Sequence, residues 1–190
     1  KKREKSSFFL IFSFFLLLGL SGCASYKARP LAQIPTIGSN SFMKNGPISF
    51  KYHIFDNWDC KKYLDRNVIA KSYQPIHVSI TNNSNKAINF SLRNISLPVV
   101  DAYEVARKVH TNTVGRAVGY GITGLFIWPF VIPAIVDGIG SHKANEQLDY
   151  DFDRKALHDQ KIQPHASIDG LIFVPVESNI QDFQITLTDS

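Results

Sequence analysis

Gly119-Tyr120-Gly121-Ile122-Thr123-Gly124 has the spacing G-x-G-x-x-G, in which glycines let backbone N–H groups meet a dinucleotide pyrophosphate. That chemistry needs a turn between a parallel strand and a helix. Here the six residues lie within an apolar helical stretch with no strand pattern before it, so no dinucleotide site is expected. Asp149, Asp151 and Asp153 open like a calcium loop. Arg154 then stands where that loop needs Gly, and Gln160 where it needs a bidentate Glu. On a helix the three carboxylates point in different directions, which makes them a solvated acidic face beside Arg154 and Lys155. His53, His77, His110, His142, His158 and His165 are scattered, and no i, i+4 pair with a carboxylate or another His is expected among them, so zinc has no support. Cys60 has no second thiol nearby for redox work, and Ser141-His142 lacks a nucleophile elbow. The chain is therefore expected to be non-enzymatic, with no catalytic residue, no cofactor and no metal.

Leu20-Ser21-Gly22-Cys23 follows residues 8–18, which are apolar except for Ser13, and a cationic start of Lys1, Lys2, Arg3 and Lys5. The arrangement resembles the lipobox of a bacterial lipoprotein. The apolar stretch is shorter than the roughly twenty residues a membrane-spanning helix needs, so residues 1–22 are expected to be a cleaved signal peptide. The resemblance implies cleavage between Gly22 and Cys23, diacylglycerol on the Cys23 sulfur, and acylation of the new amino terminus. One acyl chain binds marginally, while two or more anchor stably at about 0.8 kcal/mol per buried CH₂. In such lipoproteins an Asp after the cysteine favours the inner membrane. Ala24 stands there instead. The implied location is the periplasmic face of the outer membrane, with membrane lipid as a partner through acylated Cys23.

Loss of residues 1–22 would remove four basic residues and Glu4, lowering the net charge from +5 to +2. Nothing left argues for nucleic acid, which would want a basic face or stripe. With Cys23 acylated, Cys60 has no disulfide partner in the chain, so it is expected to be buried and inert or else open to intermolecular pairing.

Residues 23–47 are rich in Ser, Pro, Gly and Asn without a sustained period, and are expected to be a flexible tether. Ile48, Phe50, Tyr52 and Ile54 then alternate with more polar positions, the mark of a half-buried strand. Ile76, Val78 and Ile80 do the same. Asn82-Asn83-Ser84-Asn85-Lys86 is a turn cluster, with Ile88, Phe90 and Leu92 alternating beyond it, which predicts a hairpin. Ile95 and Leu97 extend the pattern before Pro98. Leu171-Ile172-Phe173-Val174 reads as a short buried strand, and Phe183, Ile185 and Leu187 as a last alternating one. Many short strands with polar turns predict an antiparallel β-sandwich over residues 48–100 and 160–190.

The middle, residues 101–159, follows another rule. Asp101 and Glu104 are spaced as a capping box, with Val105 and Val109 at helical spacing. Residues 117–136 carry no charge, but Pro129 and Pro133 interrupt them. Ile135, Ile139, Leu148 and Phe152 fall near one helical face. Two helices joined near Trp128-Pro129-Phe130 are expected, a helical hairpin inserted between strands. Gly115, Gly119 and Thr123 place small residues on one helix face, the pattern of close helix contact in membranes or oligomers. Together with Trp128 and Phe130 they are the candidate helix-contact or membrane surface.

Tyr73-Gln74-Pro75-Ile76, Asn82-Asn83-Ser84 and Gly170-Leu171-Ile172-Phe173-Val174-Pro175 resemble stretches of bacterial envelope lipoproteins of uncharacterised function. The resemblance implies an α+β fold, an Ig-like β-sandwich interrupted by a glycine-rich helical hairpin. The expected function is a lipid-anchored protein-interaction module with an envelope partner, or a second copy of itself. An accessory part of a secretion or envelope complex is one form of it. The alternative is a membrane-active or channel-forming oligomer built through the hairpin.

Overall fold

Alternation of apolar and polar residues becomes strand where it is longest. The computed structural model describes residues 25–33, 41–111, 131–180 and 183–189. Its strands are β1 (Ser41–Asn45), β2 (Ile48–Ile54), β3 (Tyr73–Asn82), β4 (Ile88–Phe90), β5 (Gln160–Ile162), β6 (Ser167–Pro175) and β7 (Thr188–Asp189). Its helices are α1 (Asn57–Asp59), which runs on as a π-helical turn over Cys60–Leu64, then α2 (Ala102–Lys108) and α3 (Val131–Lys155). One sheet has the order β1-β2-β3-β6 and the other β5-β4-β7, and every pairing is antiparallel. The fold is α+β. Two units divide the chain, and the one made of residues 27–110 and 148–190 holds both sheets.

The core of that unit draws on both sheets. Tyr52, Ile76, Val78, Ile80, Ile172 and Val174 come from the first, and Ile88, Phe90 and Ile162 from the second. Phe183 closes it, edge-on to Tyr52 with ring centroids 5.1 Å apart. Strand alternation sends Leu171 and Phe173 to the opposite side of β6. There Phe173 stacks on Phe152 of α3 at 5.6 Å, and the Leu157 N–H donates to the Leu171 carbonyl at 2.9 Å. From Gly170 to Val174 β6 is buried on both faces, which is why that part of its sequence is an unbroken apolar run rather than an alternating one.

Several expectations are altered, and the stretch of Phe183, Ile185 and Leu187 forms only an isolated bridge from Ile185 to Ile95 before β7. The hairpin across Asn82–Lys86 does not form: β3 pairs with β2 and β6, while β4 pairs with β5 and β7. Buried Asn82 redirects the chain. Its Nδ2 donates to the carbonyls of Lys86 (2.8 Å), Ile162 (3.2 Å) and Gln163 (3.2 Å), fastening the end of β3 to the second sheet. Leu92 begins a 3₁₀ turn, Leu92–Asn94, and leaves the alternation to β4 alone. Within the stretch expected to be tether, Ser41–Asn45 pairs along β2, and Gly46 at φ +61° starts the reversal. A type II′ hairpin turn reserves that first central position for Gly.

Asp101 caps α2 as its spacing predicts, accepting from the Tyr103 and Glu104 N–H groups. Glu104 instead accepts from the Tyr73 hydroxyl at 3.0 Å. A complete capping box occurs at Asp56 and Asp59, ahead of a turn that no apolar period announced. In the other unit, Asn145 of α3 brackets Thr111, accepting from its N–H at 2.9 Å and donating to its carbonyl at 3.3 Å.

Candidate functional site

Cys23, Gly115, Gly119, Thr123, Trp128 and Phe130 lie outside the described residues, as do the bend of the expected hairpin and the G-x-G-x-x-G segment. Among the described residues, no helix is long and apolar enough to cross a membrane. None of their His, Cys, Asp and Glu side chains gather in a group of three or more that could hold a metal.

The chain that follows Cys23 is held close to the folded unit. The Lys27 N–H donates to the Asp65 carboxylate at 3.1 Å, and the Arg29 N–H to the Lys62 carbonyl at 3.0 Å. Asp65 ends the π-helical turn at φ +50° and also accepts from Lys61 Nζ (2.7 Å) and from Arg66 (3.1 Å). Burial alone would raise its pKa, but these donors and the neighbouring cations outweigh it and hold the carboxyl below its ordinary value. Beside this anchor point Trp58 is 63% exposed, with Lys62 Nζ 4.3 Å from its ring centroid.

Histidines pair with carboxylates more often than the sequence led one to expect. His53 meets Asp59 at 2.7 Å, and His110 meets Asp149 at 2.6 Å. His77 meets Asp169 at 3.4 Å. His142 and Glu146, one helical turn apart on α3, meet at 3.4 Å on an exposed surface, an i, i+4 pair that corrects the expectation of none. His53 and His77 are direct cross-strand partners, so Asp59, His53, His77 and Asp169 run across one face of the first sheet. Burial pushes the His77 pKa down, against the opposing pull of Asp169.

The three aspartates of α3 do diverge. Asp149 faces His110, Asp151 pairs with Lys155, and Asp153 approaches His158. Lys155, expected on a solvated face, is instead buried, and its Nζ donates to the Tyr63 carbonyl at 2.6 Å as well as to Asp151. Cys60 is fully buried, and burial pushes its thiol up to about 12, so it is a thiol rather than a thiolate at neutral pH.

A cleft of about 400 Å³ opens between the Leu92–Ala102 segment, the end of α3 and β6. Its apolar lining includes Leu97, Val99, Leu157, Leu171 and Phe173. Arg93, Asp101, Asp153 and His158 supply its charged groups. Asp101 is engaged in capping α2, and His158 Nε2 donates to the Asp153 carbonyl at 2.9 Å.

Comparison of the chain with models of protein families, with curated proteins and with solved structures gives no match.

Proposed function

We propose that the chain is an envelope lipoprotein held through acylated Cys23 at the periplasmic face of the outer membrane. Its β-domain, an Ig-like sandwich in this reading, acts as a non-enzymatic protein-interaction module. The observation that carries the proposal is Leu20-Ser21-Gly22-Cys23 at the end of the apolar stretch.

The test is chemical. Cys23→Ser removes the sulfur that would accept diacylglycerol, so the variant is expected to accumulate uncleaved and unacylated. Mass spectrometry of the mature wild-type amino terminus should find an acylated Cys23. An unmodified terminus, or cleavage elsewhere, would remove both the anchor and the location.

A further inference from the structure

We propose that the surface carrying Trp58, Lys61 and Lys62, with Lys27 and Arg29 beside it, rests on the bilayer that anchors Cys23, its cations over anionic phospholipid headgroups. The inference depends on the lipid-anchor reading and adds to it an orientation.

The length of chain between anchor and domain carries it. Cys23 precedes Lys27 by four residues, which span at most about 14 Å when fully extended. Lys27 and Arg29 are already bonded through their N–H groups to Asp65 and Lys62. The 62–65 turn therefore cannot stand far from an acylated Cys23. A free tether would have allowed any orientation, whereas this one presents a particular face.

That face has the chemistry of a membrane interface. Trp58 is largely exposed, and tryptophan concentrates at headgroup level, where an amphipathic ring is apolar on its body and polar at its N–H. Residues 25–33 and 56–66 contain Lys27, Arg29, Lys61, Lys62 and Arg66 against Asp56, Asp59 and Asp65, a local excess of two positive charges. Asp59 is buried against His53 and Asp65 is engaged by Lys61 and Arg66, which leaves Lys27, Arg29 and Lys62 against the exposed Asp56. Basic side chains beside a lipid anchor add to its hold on an anionic surface.

Trp58 and Trp128 are the two tryptophans of the chain, so Trp128→Phe makes Trp58 the sole fluorophore. The acylated full chain bearing that change would be placed in vesicles of phosphatidylethanolamine and phosphatidylglycerol containing brominated phospholipid. Trp58 emission should be quenched and shifted to the blue. Lys61→Gln with Lys62→Gln should lower the docked-to-free ratio by about fivefold per lysine while the chain stays vesicle-bound. Salt at about 1 M, where screening acts within about 3 Å, should relieve quenching in the unmutated surface and guards against misfolding of the variant. A vesicle-bound chain whose Trp58 is not quenched overturns the inference and leaves the anchor intact. A chain that fails to float with vesicles overturns both. Trp58 free in vesicles yet shielded from a soluble quencher in native membrane fragments would assign the surface to a protein partner, and also overturns it.

Discussion

His77 shows how much one position can hold that composition does not reveal. On β3 it faces His53 from β2 and Asp169 from β6, and the surrounding protein favours its neutral form because burial outweighs the aspartate. Its folded pKa lies below the ordinary histidine value of about 6.5, so the unfolded chain binds the proton more readily. The resulting stability is fully present above that value and declines as pH falls through it toward the lower folded pKa. Carboxylates such as Asp65, held below their ordinary range, contribute in a separate and more acidic window. Urea midpoints should therefore fall between neutral pH and mildly acidic pH, and His77→Gln should flatten that part of the profile. An unchanged slope in the variant would mean that other groups carry the dependence. The two aspartates facing this histidine pair were invisible as partners in the sequence, because the contacts join residues on four different elements.

At the scale of elements, β2 and β3 were legible and the pairing partners of β3 and β4 were not. Ile48, Phe50, Tyr52 and Ile54 need only a two-residue period to show their buried face, and the sheet respects it. Choice of partner depends instead on what receives the polar groups at the strand's end. Asn82 hands its amide protons to three carbonyls, two of them across the chain at Ile162 and Gln163. No local pattern encodes a contact eighty residues away. The α1 turn was missed for a similar reason: its side chains Cys60, Tyr63 and Leu64 are buried by tertiary packing, over too few residues to establish a helical period. Gly170 on β6 marks a close approach of the same kind. A Cβ there would stand 3.0 Å from Leu157 N, Leu157 Cγ and the Lys155 carbonyl oxygen. Gly→Ala at a site the alanine can occupy freely stabilises by about 0.4–1 kcal/mol through the unfolded chain. Here two of the three opposing atoms are backbone and cannot rotate aside, so crowding of about 1–3 kcal/mol prevails. Gly170→Ala is expected to lower the urea midpoint without altering the slope, and a gain in stability would show that the α3–β6 junction can open.

For the whole molecule, the question is how much of residues 101–159 is an insertion and how much is part of the β-domain. The sequence pattern treated the stretch as one helical hairpin between strands. The structure assigns residues 101–110 and 148–159 to the same unit as both sheets. Val105, Ala106, Leu148 and Phe152 are fully or almost fully buried, and Phe152 stacks on Phe173 from the sheet's second face. Excising residues 101–152 would therefore uncover Leu171 and Phe173 together. Losing one buried Phe costs about 3–5 kcal/mol, and domain stability is about 5–15 kcal/mol in all, so that deletion should aggregate. Excising residues 111–147 is a different operation. His110 and Asp149 meet side chain to side chain at 2.6 Å, so the severed ends lie close enough for a short Gly-Ser linker. The shortened chain keeps α2, the end of α3 and every strand. It should unfold cooperatively in urea and retain its strand signal in circular dichroism. If it aggregates while the longer deletion folds, the helices belong to the excised part, and the boundary at residues 110 and 148 is misplaced.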